Sequence, residues 1–168
     1  MTDDAIRALK SRPHEKQTSA PLNAETPSPS LYLRIGGAAA LEGFVARFYE
    51  AMESDPAVAR IWDLHPADLD DLKRRLVAFL SGFVGGPPLY PELYGPPFMR
   101  ARHLHVPIAT DERDMWLKCA GAALDQTIVD PVARAEFGAK LAAFANHMRN
   151  RNDIDPGADR RESAGDGA

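Results

Sequence analysis

The stretch from Leu69 to Phe83 constrains the fold most. Leu69, Leu72, Leu76, Phe79, Leu80 and Phe83 recur three and four residues apart, with Asp70, Asp71, Lys73 and Arg74 between them. That period puts the apolar side chains on one stripe of a helix, whereas a half-buried strand needs strict alternation. A helix with one apolar stripe gains most of its stability by packing that stripe on others. The chain supplies three partners of the same kind. Leu41, Phe44, Val45, Phe48, Tyr49 and Met52 form the first. Met115, Trp116, Cys119, Ala120, Ala123 and Leu124 form the second, and Phe137, Leu141, Phe144, Ala145 and Met148 the third. No segment alternates, so the expected fold class is all-α.

Local signals set the helix ends. Gly36-Gly37 breaks the chain before the first helix, and Asp55-Pro56 ends it, because proline pushes the preceding residue out of the α region. A short helix is expected over residues 57–62 and a loop over 63–66. Gly85-Gly86-Pro87-Pro88 stops the Leu69 helix, and residues 89–97, rich in proline, read as a loop without regular structure. Residues 100–104 allow a helical turn or two. Thr110 reads as an N-cap with Asp111 and Glu112 in the first turn. Asp130-Pro131 opens the last helix with proline at the first helical position. Residues 1–30, closing on Thr26-Pro27-Ser28-Pro29-Ser30, and residues 152–168 read as disordered tails. Between them, 31–151 is one domain.

A chain of 168 residues with 45% apolar content can bury a core. Its formal charge of −4 offers no basic field for nucleic acid. No apolar run reaches the roughly 18 residues of a membrane span, and residues 1–23 lack the apolar core of a secretory signal. Cys119 is the one cysteine. It cannot form an intramolecular disulfide or a cysteine-cluster zinc site, and it fits a cytoplasmic protein.

Among the five histidines, His14 lies in the tail, His147 near the end of the last helix and His65 in a loop or capping position. His103 and His105 stand two apart in Arg100-Ala101-Arg102-His103-Leu104-His105. At that spacing they cannot face one point from a helix, and zinc would need further ligands. His103 reads as an axial ligand of a haem iron: such a site needs one imidazole, an apolar cavity and cations at the rim for two propionates. Arg102 adjoins His103, and Arg75 adjoins Leu76 on the facing helix. The bland alternatives stay open for each: a core histidine, two solvated arginines. Tyr49, Trp62 and Trp116 carry an apolar body and a polar tip. They are core aromatics or, if they share one pocket, donors to a small ligand.

Taken in order, Gly36-Gly37, Arg47-Phe48-Tyr49, Phe79-Leu80, Gly85-Gly86-Pro87, Tyr90, Arg100-Ala101-Arg102-His103, Glu112-Arg113-Asp114 and Trp116-Leu117-Lys118-Cys119 resemble the truncated haemoglobins, group II. The match runs from about Leu31 to Met148. The resemblance implies a two-over-two helical sandwich around haem b, His103 as the proximal iron ligand, Tyr49 as the distal tyrosine and Trp116 as the tryptophan of that group. Trp62 falls where the family usually has Tyr, Phe or His, and Leu72 falls at the usual distal-histidine position. The family's loop Gly-His-Pro reads Gly95-Pro96-Pro97 here. The expected haem contacts are Tyr49, Trp62, Leu72, Arg75, Leu76, Phe83, Tyr90, Met99, Arg102, His103, Ile108 and Trp116.

The function implied is reversible O2 binding, extending to NO and CO, with oxygen delivery or removal of NO or peroxide as the use. An unidentified reductase, no nucleic acid, no membrane, and a monomer or homodimer complete that expectation. The alternative from another class is a cofactor-free helical interaction or sensor module. A non-haem metalloenzyme lacks ligands at suitable spacing.

Overall fold

A computed structural model describes residues 28–66 and 68–152. The expected tails therefore fall largely outside the described residues. The helices are α1 (Leu31–Arg34), α2 (Gly37–Ser54), α3 (Ala59–Trp62), α4 (Leu69–Phe83), α5 (Leu89–Tyr94), α6 (Met99–His103), α7 (Thr110–Thr127) and α8 (Pro131–Met148), with a 3₁₀ turn at Pro56–Val58. Among the described residues there is no strand.

The four apolar stripes each form a long helix. Gly36 and Gly37 take φ of 105° and 69°, a left-handed bend that favours glycine. Asp68 Oδ1 accepts the Asp71 N–H at 3.1 Å and caps α4. Asp130 Oδ1 accepts from Val132 at 2.8 Å and Ala133 at 3.2 Å, and so caps α8 ahead of Pro131.

Several local expectations need correction. Residues 89–97 are not a continuous loop, because α5 occupies Leu89–Tyr94. Pro91 falls in the first turn of α5, where its missing N–H has no helical partner to lose. Gly95, with φ 75°, then ends the helix. The segment 57–62 is split between the 3₁₀ turn and α3, and Asp55 caps the former by accepting the Ala57 N–H at 2.9 Å. Thr110 is the first residue of α7 and not its cap; Glu112 instead reaches back to accept the Ala109 N–H at 2.8 Å. The single turn α1 is too short to show a period in sequence.

Packing gives two layers. α2 lies against both α4 and α7, and α7 against α8. Leu41, Phe44, Val45, Phe48 and Met52 of α2 are all at most 1% exposed, so this helix is the spine of the core. Phe44 meets Phe137 of α8 with ring centroids 5.1 Å apart, and Phe48 meets Trp116 of α7 at 5.1 Å. Burying such a ring contributes about 1.5–3 kcal/mol. The end of α4 is closed by α1: Tyr32 N–H donates to the Val84 carbonyl at 2.9 Å. The Tyr32 ring lies where a Cβ on Gly86 would sit, so the glycine is required by close approach.

Candidate functional site

Between α4, α6 and the start of α7 lies a cavity of about 630 Å³, within the range of small-molecule and cofactor sites. Of the residues expected from sequence, Tyr49, Leu72, Arg75, Leu76, Tyr90, Met99, Arg102, His103, Ile108 and Trp116 all line it. Trp62 and Phe83 do not. Trp62 stands half-buried at the end of α3, its ring 6.3 Å from that of His65. Phe83 stacks on Phe79 at 5.4 Å and meets Phe144 edge-on at 5.7 Å, one step behind the wall. Sequence reasoning missed Ile61, His65, Phe79, Val106 and Phe144, among others. Phe79 and Phe144 were legible as stripe residues, but a stripe does not say which of its members meets a void. His65 gave no signal beyond its residue type.

One wall is built on long helices. Tyr49 on α2 is 4% exposed and packs edge-on against Phe48 at 5.1 Å and His65 at 5.6 Å. Burial pushes its phenol far above the ordinary value, so the hydroxyl keeps its proton. Trp116 on α7 packs against Phe48 and, at 6.4 Å, Phe144. Among the described residues, neither the Tyr49 hydroxyl nor the Trp116 indole N–H has a hydrogen-bond partner. Tyr49 is buried and Trp116 half-buried, and both line the cavity, so the two unengaged tips can donate to a group placed inside it. His65 shares this wall. Its Nδ1 lies 2.7 Å from the Ile61 carbonyl, and burial lowers its pKa, favouring the neutral ring.

The opposite wall carries His103. It is the last residue of the five-residue α6, which begins after Phe98 at φ 39°. A non-glycine residue there is strained, and such strain persists only where surrounding contacts enforce it. His103 Nδ1 lies 2.6 Å from the Met99 carbonyl. A carbonyl only accepts, so Nδ1 carries the proton, and Nε2 is the nitrogen that offers a lone pair in the neutral ring. Arg102 Nε donates to the Pro97 carbonyl at 2.9 Å. Arg75 Nε donates to Asp71 Oδ2 at 2.5 Å, and its guanidinium lies 4.4 Å from the Tyr94 ring centroid. That hydrogen bond raises the pKa of Arg75 and lowers that of Asp71.

The residues present fit a haem. The cavity is largely apolar, His103 and His65 each have Nδ1 on a backbone carbonyl with Nε2 unengaged among the described residues, His105 also lines it, and Arg75, Arg102 and Arg113 stand at the edge. Among the described residues no group of three or more His, Cys, Asp or Glu side chains could hold a metal ion. Nor is any described helix long and apolar enough to cross a membrane.

Two helical layers with a histidine and two unengaged donors lining one largely apolar cavity define a ligand-pocket protein of the globin class. The bacterial-like globin family model matches residues 30–150. A group 2 truncated haemoglobin of Bacillus subtilis, YjbI, is 36% identical over 115 residues, covering 68% of this chain and 85% of its own length. The group II 2-on-2 haemoglobin of Agrobacterium tumefaciens superposes with a TM-score of 0.71 at 39% identity, covering 77% of this chain and 99% of that one. The cold-adapted truncated haemoglobin of Pseudoalteromonas haloplanktis TAC125 gives 0.70 at 33% identity, covering 73% and 99%. The truncated oxygen-avid haemoglobin of Bacillus subtilis gives 0.65 at 37%, covering 73% and 100%. This chain belongs to the bacterial-like globins and, within them, to the group II truncated haemoglobins. Its fold is therefore the two-over-two helical sandwich, and the family implies a haem cofactor and binding of O2.

Proposed function

We propose that this globin holds haem b through His103 Nε2 and binds O2 reversibly in the cavity, with NO and CO as further ligands. The observation that carries the reading is the Nδ1–H bond to the Met99 carbonyl, which leaves Nε2 as a neutral donor with a set ring orientation. When bound, the haem would supply a ferrous iron with one open coordination position for a diatomic gas. Leu72, Leu76 and Met99 offer apolar contact to the macrocycle, and Arg75 and Arg102 offer charge to its propionates. Tyr49 O–H and Trp116 N–H hold the gas ligand by hydrogen bonds, since Leu72 has no polar group to give. Trp62 acts behind them, against His65.

The use proposed is oxygen delivery, with NO or peroxide removal as the alternative that requires a reductase as electron donor. The oxygen-avid haemoglobin of Bacillus subtilis supports O2 as the ligand. The buried lone Cys119 agrees with a reducing cytoplasm. For assembly the proposal is a monomer or homodimer.

The test is a set of visible spectra of the purified protein, ferric, ferrous and CO-bound, with two variants. The parent should show the intense violet band of a haem protein. His103→Ala should lose haem on desalting, and His105→Ala should keep it. A colourless parent would leave a cofactor-free helical module, and equal loss in both variants would overturn His103 as the ligand.

A further inference from the structure

The chain leaves α8 at Met148 and turns back across the segment that follows His103. Asn150 is half-buried at that crossing. Its Nδ2 donates to the His103 carbonyl at 2.8 Å and to the Val106 carbonyl at 2.9 Å. Its Oδ1 accepts the Ile108 N–H at 3.2 Å. The backbone N–H groups of Asn150 and Arg151 both donate to the Ile108 carbonyl, at 2.9 and 3.1 Å. From the other side, Arg100 donates to the carbonyls of His147 and Arg149. Both ends of the segment that carries His103 are thus tied to the few residues that follow α8.

These bonds matter because the other hydrogen bonds described for the segment are local, within residues 97–106. A five-residue helix does not hold itself, and none of the residues of α6 is fully buried. The His103 carbonyl has two lone pairs; the Val106 N–H takes one at 3.0 Å and Asn150 the other. Only a carboxamide offers two donors and an acceptor from one planar group. Aspartate would keep the Ile108 bond and set a carboxylate against two carbonyl oxygens.

We infer that Asn150 is the positioning residue for the proximal histidine: it holds the His103 backbone, and so the ring, against the cavity. The inference rests on the proposed role of His103. Met99 orients the ring from the start of α6, and Asn150 anchors the main chain from its end. The consequence is that a residue beyond the last helix would set where His103 Nε2 stands for a haem iron.

The experiment compares Asn150→Asp and Asn150→Ala with Asp130→Ala in the haem-loaded full chain. Asp130→Ala removes the α8 cap and serves as a destabilised control distant from the segment. The readouts are the iron–histidine stretching band in the ferrous resonance Raman spectrum, haem transfer to apomyoglobin, and amide exchange at Val106 and Ile108. Both Asn150 variants should shift or broaden the band, speed haem transfer roughly tenfold and speed exchange at Val106. Exchange at Ile108 should rise more in Asn150→Ala than in Asn150→Asp, which keeps that acceptor. Asp130→Ala should lower the Tm and leave the band in place. A band unchanged in both Asn150 variants, or moved as far by Asp130→Ala, would overturn the inference. Should Asn150→Ala not fold, Asn150→Asp, which keeps the side-chain volume, decides the matter alone. Haem kept with an unaltered spectrum in His103→Ala would instead overturn the role of His103, so the two failures are distinct.

Discussion

The two walls of the pocket are built by different physics. Tyr49 and Trp116 stand on α2 and α7, each of 18 residues. Each ring packs against Phe48, which is 1% exposed. Apolar packing on the spine of the core sets their positions. His103 ends a helix of five residues, none fully buried, entered through a strained Phe98 and tied down by carbonyl, amide and guanidinium hydrogen bonds. The wall of Tyr49 and Trp116 is thus fixed as the core folds. The histidine wall is fixed by a few directional bonds, each of small net worth. A mutation therefore has very different reach on the two sides.

The largest expected effect breaks that contrast at its root. Phe48→Ala removes the ring beneath both Tyr49 and Trp116 and should cost about 3–5 kcal/mol of stability. Leu104→Ala, beside His103 but 52% exposed, should stay within about 0.5 kcal/mol. Urea unfolding of the two variants reads the difference. Comparable losses would show that the histidine wall is also held by apolar packing.

The same contrast explains what could be read from the chain alone. The long helices were legible because burial imposes a period on their residues. Tyr49 and Trp116 came with them, as they occupy stripe positions and line the cavity. α5 was missed because three prolines and a glycine in 89–97 signal a break, and only the position of Pro91 in a first turn makes a helix admissible. Asn150 and His65 were illegible for another reason. Their roles depend on main-chain carbonyls brought near by tertiary contact, and a carbonyl carries no sequence identity. Trp62 shows the converse: residue type suggested a ligand donor, but the turn out of α3 gives the cavity place to His65, three residues on.

Next in size are the two donors. Trp116→Phe and Tyr49→Phe keep most of the ring volume and remove the polar tip. A neutral hydrogen bond contributes about 0.5–1.5 kcal/mol, so each change should speed O2 release roughly two- to tenfold. CO carries little negative charge, so its release should change less. The double variant need not be additive, because both tips face one ligand. Stopped-flow dissociation of O2 and CO checks this. If O2 leaves no faster in either variant, the wall is packing alone and the contrast loses its functional side.

Smaller again are the arginines at the mouth. Arg75 is 39% exposed and already engaged by Asp71, so its pull on a propionate is screened and shared. An exposed pair of this kind contributes about 0.2–1 kcal/mol. Arg75→Ala or Arg102→Ala should therefore speed haem transfer up to about fivefold, more at low salt than at high salt. An unchanged rate in the double variant would remove the charges from the account of the histidine wall.

The smallest expected effect sharpens the comparison from the side of Tyr49 and Trp116. His65 packs between the Tyr49 and Trp62 rings with Nδ1 on the Ile61 carbonyl. Burial is the first cause of its lowered pKa, and the two backbone hydrogen bonds oppose the shift. The unfolded chain then binds a proton near the ordinary histidine value of about 6.5 while the folded chain does not. Below that pH the unfolded state holds more protons, so stability falls as pH falls, until the folded ring titrates too. Above it His65 contributes no slope. His65→Gln keeps a donor for the Ile61 carbonyl and removes the titration. Urea midpoints measured from pH 7.5 down to pH 5 should decline less steeply in this variant than in the parent. Parallel curves would mean that the ring accepts its proton without penalty, and that the wall around Tyr49 is wetter than its packing implies.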